Sequence, residues 1–170
     1  MKAGQGASVS AQTHWVAEQL RPDQLELLAS WPATLTLDVE GVGEVLFCHA
    51  SPRSDTEIFT RLTPEVQIRP MLQEAAEVIV CGHTHMQFGR KVGGKQVFNA
   101  GSVGMPYGKP GAYWLLLGPG VEFRRTAYDF ESAAERIRAT AYPGAEVLAR
   151  DNIILPPTEQ EALDFFTSSR

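Results

Sequence analysis

Three histidines directly follow two short apolar segments of the chain. His49 comes after Val45–Cys48, and His83 and His85 come just after Val78–Cys81. Side chains at the end of a strand commonly carry function, because the strand is rigid and the following loop is open to a ligand. A neutral imidazole nitrogen binds manganese, iron, zinc or nickel. The pattern favours a metal site, and ordinary hydrogen-bonded histidines are the alternative that it leaves open.

A metal site that hydrolyses phosphate esters also needs oxygen ligands. Two cations usually share a bridging carboxylate, clamp the phosphate and generate the nucleophile. The acidic residues around the first histidine form no recognisable ligand motif; they are Asp38, Glu40, Glu44, Asp55 and Glu57. The residue pattern alone therefore indicates imidazole ligands without a carboxylate partner.

The strands that must position these histidines are predicted from the hydrophobic pattern. Val78–Cys81 is short, apolar and rich in β-branched residues, which predicts a buried strand. Alternating side chains on both sides of glycine-containing turns predict three antiparallel hairpins. Their strands are Thr34–Val39 with Glu44–Cys48, Phe88–Val92 with Gln96–Asn99, and Tyr113–Leu117 with Val121–Tyr128.

Helices are predicted at both ends of the chain and between the first two hairpins. Apolar spacing, proline at a first helical position and capping residues give their bounds. The predicted helices are Ala11–Leu20, a second from Pro22 to Pro32, one that starts at Thr63, Glu131–Ala141 after the cap Asp129, and Thr158–Phe166. Helices combined with antiparallel strands indicate an α+β fold.

Composition narrows the class of protein. The chain has 170 residues, of which 44% are hydrophobic, and a net charge of −5. This is typical of a globular domain and argues against a broadly basic nucleic-acid-binding surface. No segment resembles a membrane span or a signal peptide, so we expect a cytosolic protein.

We interpret residues 1–10 as a flexible lead and residues 11–170 as a single domain. We expect Cys48 and Cys81 to be buried thiols rather than a disulfide.

Three motifs in order resemble the calcineurin-like metallophosphoesterases, in particular their small bacterial phosphodiesterase branch. Phe47–Pro52 resembles the single-histidine motif of that family, and Gly82–His85 resembles its last metal-ligand motif. Asn99–Gly104 resembles the turn that follows, with Ala100 in place of the usual proline. The resemblance extends over roughly residues 15–128.

The resemblance implies a two-sheet β-sandwich flanked by helices, with two metal ions at the strand ends. It implies that His49 and His83 bind one metal and His85 the other, the metals being manganese, iron, zinc or nickel. The implied reaction is the hydrolysis of a phosphate ester by metal-activated hydroxide. The implied partner is therefore a small molecule that carries a phosphate ester. The resemblance assigns no catalytic residue in these 170 residues and leaves the substrate-binding residues unknown; by the resemblance, Tyr107 or Lys109 could touch the substrate cleft, and a solvated loop is the alternative.

The family motifs that supply the carboxylates are missing. There is no aspartate-x-histidine motif and no asparagine-histidine-aspartate or asparagine-histidine-glutamate motif in the sequence. The chain thus resembles the C-terminal part of such an enzyme without its N-terminal strands, an incomplete domain. We expect weak or absent activity and self-association through unpaired sheet surface. The alternative is a degenerate, non-catalytic half-domain that binds a metal or a protein partner.

Overall fold

The computed structural model describes residues 10–73 and 75–168, and within them the chain forms six α-helices and seven β-strands. The helices are α1 (Ala11–Gln19), α2 (Pro22–Ala29), α3 (Glu65–Ile68), α4 (Phe130–Arg138), α5 (Ala145–Leu148) and α6 (Glu159–Ser168). The strands are β1 (Thr34–Val39), β2 (Gly43–Cys48), β3 (Val78–Cys81), β4 (Phe88–Val92), β5 (Lys95–Asn99), β6 (Ala112–Gly118) and β7 (Gly120–Thr126). The predicted lead lies outside the described residues except for Ser10, whose hydroxyl caps α1 by accepting a hydrogen bond from the Thr13 amide.

Five strands form the main sheet in the order β1-β2-β3-β5-β4. The β1–β2 and β4–β5 pairs are the predicted antiparallel hairpins. The three central strands, β2, β3 and β5, run parallel. Parallel neighbours end at the same edge of a sheet. The residues that follow Cys48, Cys81 and Asn99 therefore lie along one edge.

One face of the main sheet is covered by the segment that connects β2 to β3. Ile79 and Val97 form a buried cluster with Phe59, Ile68 and Leu72 from that segment. Ile68 ends α3, and Leu72 ends the 3-10 turn Arg69–Leu72 that follows it. Pro70 lies in the first turn of the 3-10 segment, where its missing amide is tolerated.

The other face of the main sheet packs against the second sheet. This sheet consists of β6 and β7, paired antiparallel as the third predicted hairpin. Leu115 and Leu117 of β6 contact the cluster of Val45, Val78 and Val80. The expected architecture, α+β with two packed sheets and flanking helices, is confirmed.

The inner face of the edge strand β1 is left partly uncovered. Leu37 lies opposite the fully buried Val45, so both side chains are on the face that meets the second sheet. Even so, Leu37 is 47% exposed and Leu35 is 49% exposed. The second sheet has two strands against five and does not reach them.

The C-terminal third contains both confirmed and missed predictions. Asp129 caps α4 by accepting from the Ser132 amide, and Thr158 with Glu161 forms the predicted capping box at α6. However, α4 ends three residues before the predicted Ala141. The sequence pattern also missed α5 and the π-helical segment Ala149–Ile154, which are short and packed against α4 by Ala149 and Ile153.

None of the described helices has the length and apolar character that a bilayer-spanning segment requires.

Candidate metal site

The ends of β2 and β3 bring two of the three predicted ligands together. β2 and β3 are neighbours, with Phe47 opposite Val80. Just beyond this register, the Gly82 amide donates to the His49 carbonyl at 2.8 Å. This bond continues the strand pairing into the two histidine motifs, so the backbones that carry His49 and His83 are held to one another.

The imidazole rings of His49 and His83 are in direct contact. His49 Nε2 lies 3.0 Å from His83 Nδ1, and the ring centroids are 4.9 Å apart. Without a metal, one of these nitrogens must carry the proton that the other accepts. Two imidazole nitrogens bound to one ion at about 2.1 Å lie about 3.0 Å apart in octahedral geometry and about 3.4 Å apart in tetrahedral geometry. The pair therefore fits two neighbouring ligands of a single divalent cation.

His85 is held separately from this pair. Its Nδ1 lies 3.0 Å from the Met105 carbonyl, to which it donates, so that Nε2 is the nitrogen with a free lone pair. Its ring stands 6.2 Å from that of Tyr107. Among residues 10–73 and 75–168, no three His, Cys, Asp or Glu side chains converge closely enough to hold a metal by themselves. The assignment of His85 to a second metal thus stays a prediction.

The turn that carries His83 and His85 has an unusual backbone. The Thr84 amide donates to the Gly82 carbonyl at 2.7 Å, which closes a three-residue γ-turn around His83. His83 has φ of 62° and His85 has φ of 56°. Non-glycine residues seldom adopt such values, which cost of order 1–3 kcal/mol each and cluster at functional sites.

The loop beyond β5 covers His85, with support from α6. Met105 and Tyr107 belong to this loop, and the Tyr107 ring packs edge-on against Phe166 of α6 at 6.0 Å. Met86, next to His85, is buried in a cluster with Leu163 and Phe166. The sequence pattern predicted α6 but missed this contact, for which it carries no local signal. The Tyr107 ring thus has both the His85 ring and the Phe166 ring as neighbours.

A cleft of about 460 Å³ opens beside His49. Its lining residues are Pro32, Ala33, His49, Ser51, Pro52, Arg53, Ser54 and Asp55. Arg53 Nε donates to Glu57 Oε1 at 2.8 Å, and Arg53 Nη1 donates to the Pro70 carbonyl at 3.1 Å. The guanidinium is therefore paired within the fold, as expected of a structural arginine. Asp55 is the one carboxylate among the residues that line this cleft.

Cys48 and Cys81 pack as thiols within the main sheet. Both are free thiols, as predicted, with Cys81 buried and Cys48 partly buried. Burial raises the pKa of Cys48 to about 11, and it raises the pKa of Cys81 further. Both side chains are therefore protonated at neutral pH and pack as small apolar groups.

The environment keeps His83 and His85 neutral. Burial lowers the pKa of His83, and the nearby rings of His49 and His85 lower it further, against smaller opposing effects of the Thr56 backbone and Asp55. Burial also lowers the pKa of His85, against the hydrogen bond to Met105. A neutral imidazole is the form that binds a metal, so the site needs no deprotonation at neutral pH.

These shifts predict a loss of stability in mild acid. Both pKa values are lower in the folded chain than the ordinary value of 6.5, so the unfolded state binds more protons in this window. The stabilisation is fully present above pH 6.5 and is lost as the pH falls through the folded values. Urea unfolding of the metal-free chain should show a lower free energy of unfolding at pH 5.5 than at pH 7.5. The difference should shrink in His83→Gln and persist in His14→Gln, since His14 is an exposed residue of α1; equal pH dependence in all three proteins would contradict the prediction.

Comparisons with known proteins agree with the fold and the motifs. The sequence model of the calcineurin-like phosphoesterase superfamily domain matches residues 18–118, more than half of the chain. The structure is similar to that of a hypothetical protein from Pyrococcus horikoshii, with a TM-score of 0.71 and 19% identity over 89% of this chain and 64% of that one. It is also similar to a metallophosphoesterase from Sphaerobacter thermophilus, with a TM-score of 0.62 and 21% identity over 88% of this chain and 68% of that one. The chain thus spans less than two thirds of the length of the Pyrococcus protein. A comparison with curated proteins finds no significant match.

Proposed function

Because the chain belongs to the calcineurin-like phosphoesterase superfamily, we propose that it acts on phosphate esters by metal-dependent hydrolysis, with His49 and His83 as ligands of one divalent cation. The observation that carries this proposal is the 3.0 Å separation of His49 Nε2 and His83 Nδ1 at the ends of two adjacent parallel strands. Manganese, iron, zinc and nickel all accept imidazole ligands.

The chain's own residues would bind and orient the reacting groups. A divalent cation held by the histidine pair would polarise the phosphate ester and lower the pKa of a bound water. His85, fixed by the Met105 carbonyl, presents its free Nε2 at the same strand end. The cleft beside His49 gives the substrate access from the side of Pro52 and Asp55. We propose a small phosphate ester as substrate, since the net charge of −5 disfavours nucleic acid.

We further propose that this chain by itself hydrolyses phosphate esters slowly or not at all. Two cations a few ångströms apart repel one another strongly unless a bridging anion compensates them. The described residues bring no carboxylate to the histidine pair within ligand distance. The His49–His83 pair can hold one ion, with water in the remaining positions, and that arrangement lacks the two-metal clamp.

The test is hydrolysis of bis(p-nitrophenyl) phosphate with added Mn²⁺. Slow turnover that requires Mn²⁺ and disappears in His49→Ala, but not in His14→Ala, would support both proposals. Rapid turnover lost in His49→Ala would contradict the proposal that the site is incomplete. Two outcomes would contradict the histidine site itself. One is turnover that His49→Ala does not change, and the other is a wild-type chain that shows no turnover and binds neither Mn²⁺ nor Ni²⁺.

A second candidate is a non-catalytic domain that binds a metal or a protein. The observation that favours it is the absence, within residues 10–73 and 75–168, of a three-ligand group that could hold a metal alone. Metal binding at His49 and His83 without measurable hydrolysis under any tested ion would favour this candidate over the enzyme.

We also propose that two copies associate through β1. This strand is at the edge of the main sheet, so one side of its backbone has no partner strand among the described residues. Its exposed Leu35 and Leu37 lie two residues apart on one face. An edge strand pairs antiparallel with its own copy about a two-fold axis, which would bury these side chains against each other.

Self-association should respond to charge on this strand. Over a concentration series in sedimentation equilibrium, we expect the wild-type chain to form dimers and Leu37→Lys to stay monomeric, because lysine on an edge strand opposes pairing. Leu116→Lys is the matched control, since Leu116 is 42% exposed on β6 of the second sheet. A monomeric wild-type chain, or equal effects of the two substitutions, would rule out the β1 interface.

A further inference from the structure

The histidine turn needs an external support. The γ-turn at His83 and the left-handed conformation of His85 are both unfavourable for residues with a side chain. Such conformations persist only where surrounding contacts impose them. The Gly82 carbonyl is central to the turn, since it accepts the hydrogen bond that closes it.

Asn99 makes the contacts that hold this carbonyl. It ends β5, lies opposite Cys81 in the parallel register and is 1% exposed. Its side-chain Nδ2 donates to the Gly82 carbonyl at 2.5 Å and to Thr84 Oγ1 at 3.1 Å. Its Oδ1 accepts from the Gly101 amide at 2.9 Å. One side chain thus ties the first and third residues of the γ-turn to the end of a neighbouring strand.

We propose that Asn99 is a positioning residue of the metal site, which holds the γ-turn at Gly82–Thr84 so that His83 faces His49. The inference rests on the proposed function in that the histidine pair is taken to bind the metal. The Gly82 carbonyl accepts from both the Thr84 amide and Asn99, and these two bonds fix the orientation of the peptide that enters His83. Thr84 extends the support, because its hydroxyl donates to the Phe59 carbonyl at 3.4 Å.

The chemistry of the site requires an amide at position 99. The side chain must donate toward Gly82 and Thr84 and accept from Gly101 at the same time. A carboxylate has the same shape but can only accept. In Asn99→Asp an anionic oxygen would face the Gly82 carbonyl oxygen, so the turn would lose its support while the volume of the buried side chain is kept.

The test compares Asn99→Asp with Asn152→Asp, the same change at the other asparagine of the chain. One readout is Ni²⁺ affinity by calorimetry, for which we expect a loss of about 10- to 100-fold in Asn99→Asp, the usual effect of losing an outer-shell contact. The second readout needs no metal: imidazole nitrogen shifts of the metal-free protein should change for His83 in Asn99→Asp. Asn152→Asp should leave both unchanged.

The outcomes separate the two proposals. If the wild-type chain binds no Ni²⁺, the proposed function fails, and the imidazole shifts of the metal-free protein still decide the role of Asn99. Wild-type affinity together with wild-type His83 shifts in Asn99→Asp would overturn the inference. If Asn99→Asp does not fold, Asn99→Ala replaces it, since alanine removes all three side-chain hydrogen bonds without placing a charge in the buried site; unchanged His83 shifts in that variant would overturn the inference equally.

Discussion

Replacement of His83 by alanine is expected to lower the affinity of the chain for Ni²⁺ or Mn²⁺ by at least about 100-fold, or about 2.8 kcal/mol. His83 Nδ1 and His49 Nε2 converge at 3.0 Å, and the substitution leaves a single imidazole at that point. Loss of an outer-shell contact alone costs about 10- to 100-fold, so loss of a direct ligand should reach at least the upper end of that range. Calorimetric titration of the metal-free chain at pH 7.5 measures the effect.

The other histidines provide graded controls for this titration. His14→Ala should bind as the wild-type chain does, because His14 is an exposed residue of α1. His85→Ala should lose less affinity than His83→Ala, because Nδ1 of His85 is bound to the Met105 carbonyl and, among the described residues, His85 forms no three-ligand group with the pair. A His83→Ala variant that binds within threefold of the wild-type affinity would remove the histidine pair as the metal site.

The second large effect concerns the sheet that carries the site. Ile79→Ala should lower the free energy of unfolding by about 2–5 kcal/mol, whereas Ile79→Val should cost about 0.5–1.5 kcal/mol. Ile79 is fully buried at the centre of β3, where it packs with Phe59 and Val97. Urea unfolding followed by far-UV circular dichroism measures both variants. The graded pair keeps the experiment informative even if the alanine variant does not fold.

The control for these variants is an apolar residue on the surface of the covering segment. Val66 lies in α3 and is 75% exposed, so Val66→Ala should change the free energy of unfolding by no more than about 0.5 kcal/mol. Comparable losses for Val66→Ala and Ile79→Ala would mean that the cluster around Ile79 is not the main core of the sheet.

The strands and the histidine pair could be predicted from the sequence because the signals that indicate them are local. The alternation from Thr34 to Val39 and the apolar segment Val78–Cys81 are set by which face is buried, and this information is local. Placing His49 near His83 required only that both follow neighbouring parallel strands.

What the sequence pattern did not reveal depends on contacts between distant segments. The hydrogen bonds from Asn99 to Gly82 and Thr84 join residues 15–17 positions apart, and nothing around Asn99 indicates them. The left-handed backbone of His83 and His85 goes against the preference of histidine and is imposed by those contacts. The packing of α6 beneath Tyr107 is likewise a tertiary effect.

The hydrogen bond from the Gly82 amide to the His49 carbonyl has a consequence for how the site opens. A binding loop usually fluctuates open at little free-energy cost, independently of the core. Here the two histidine-bearing backbones are joined by the last rung of the β2–β3 ladder, so separating them means fraying the centre of the main sheet. The two histidine-bearing backbones should therefore share the opening free energy of their sheet rather than open on the timescale of loop motion.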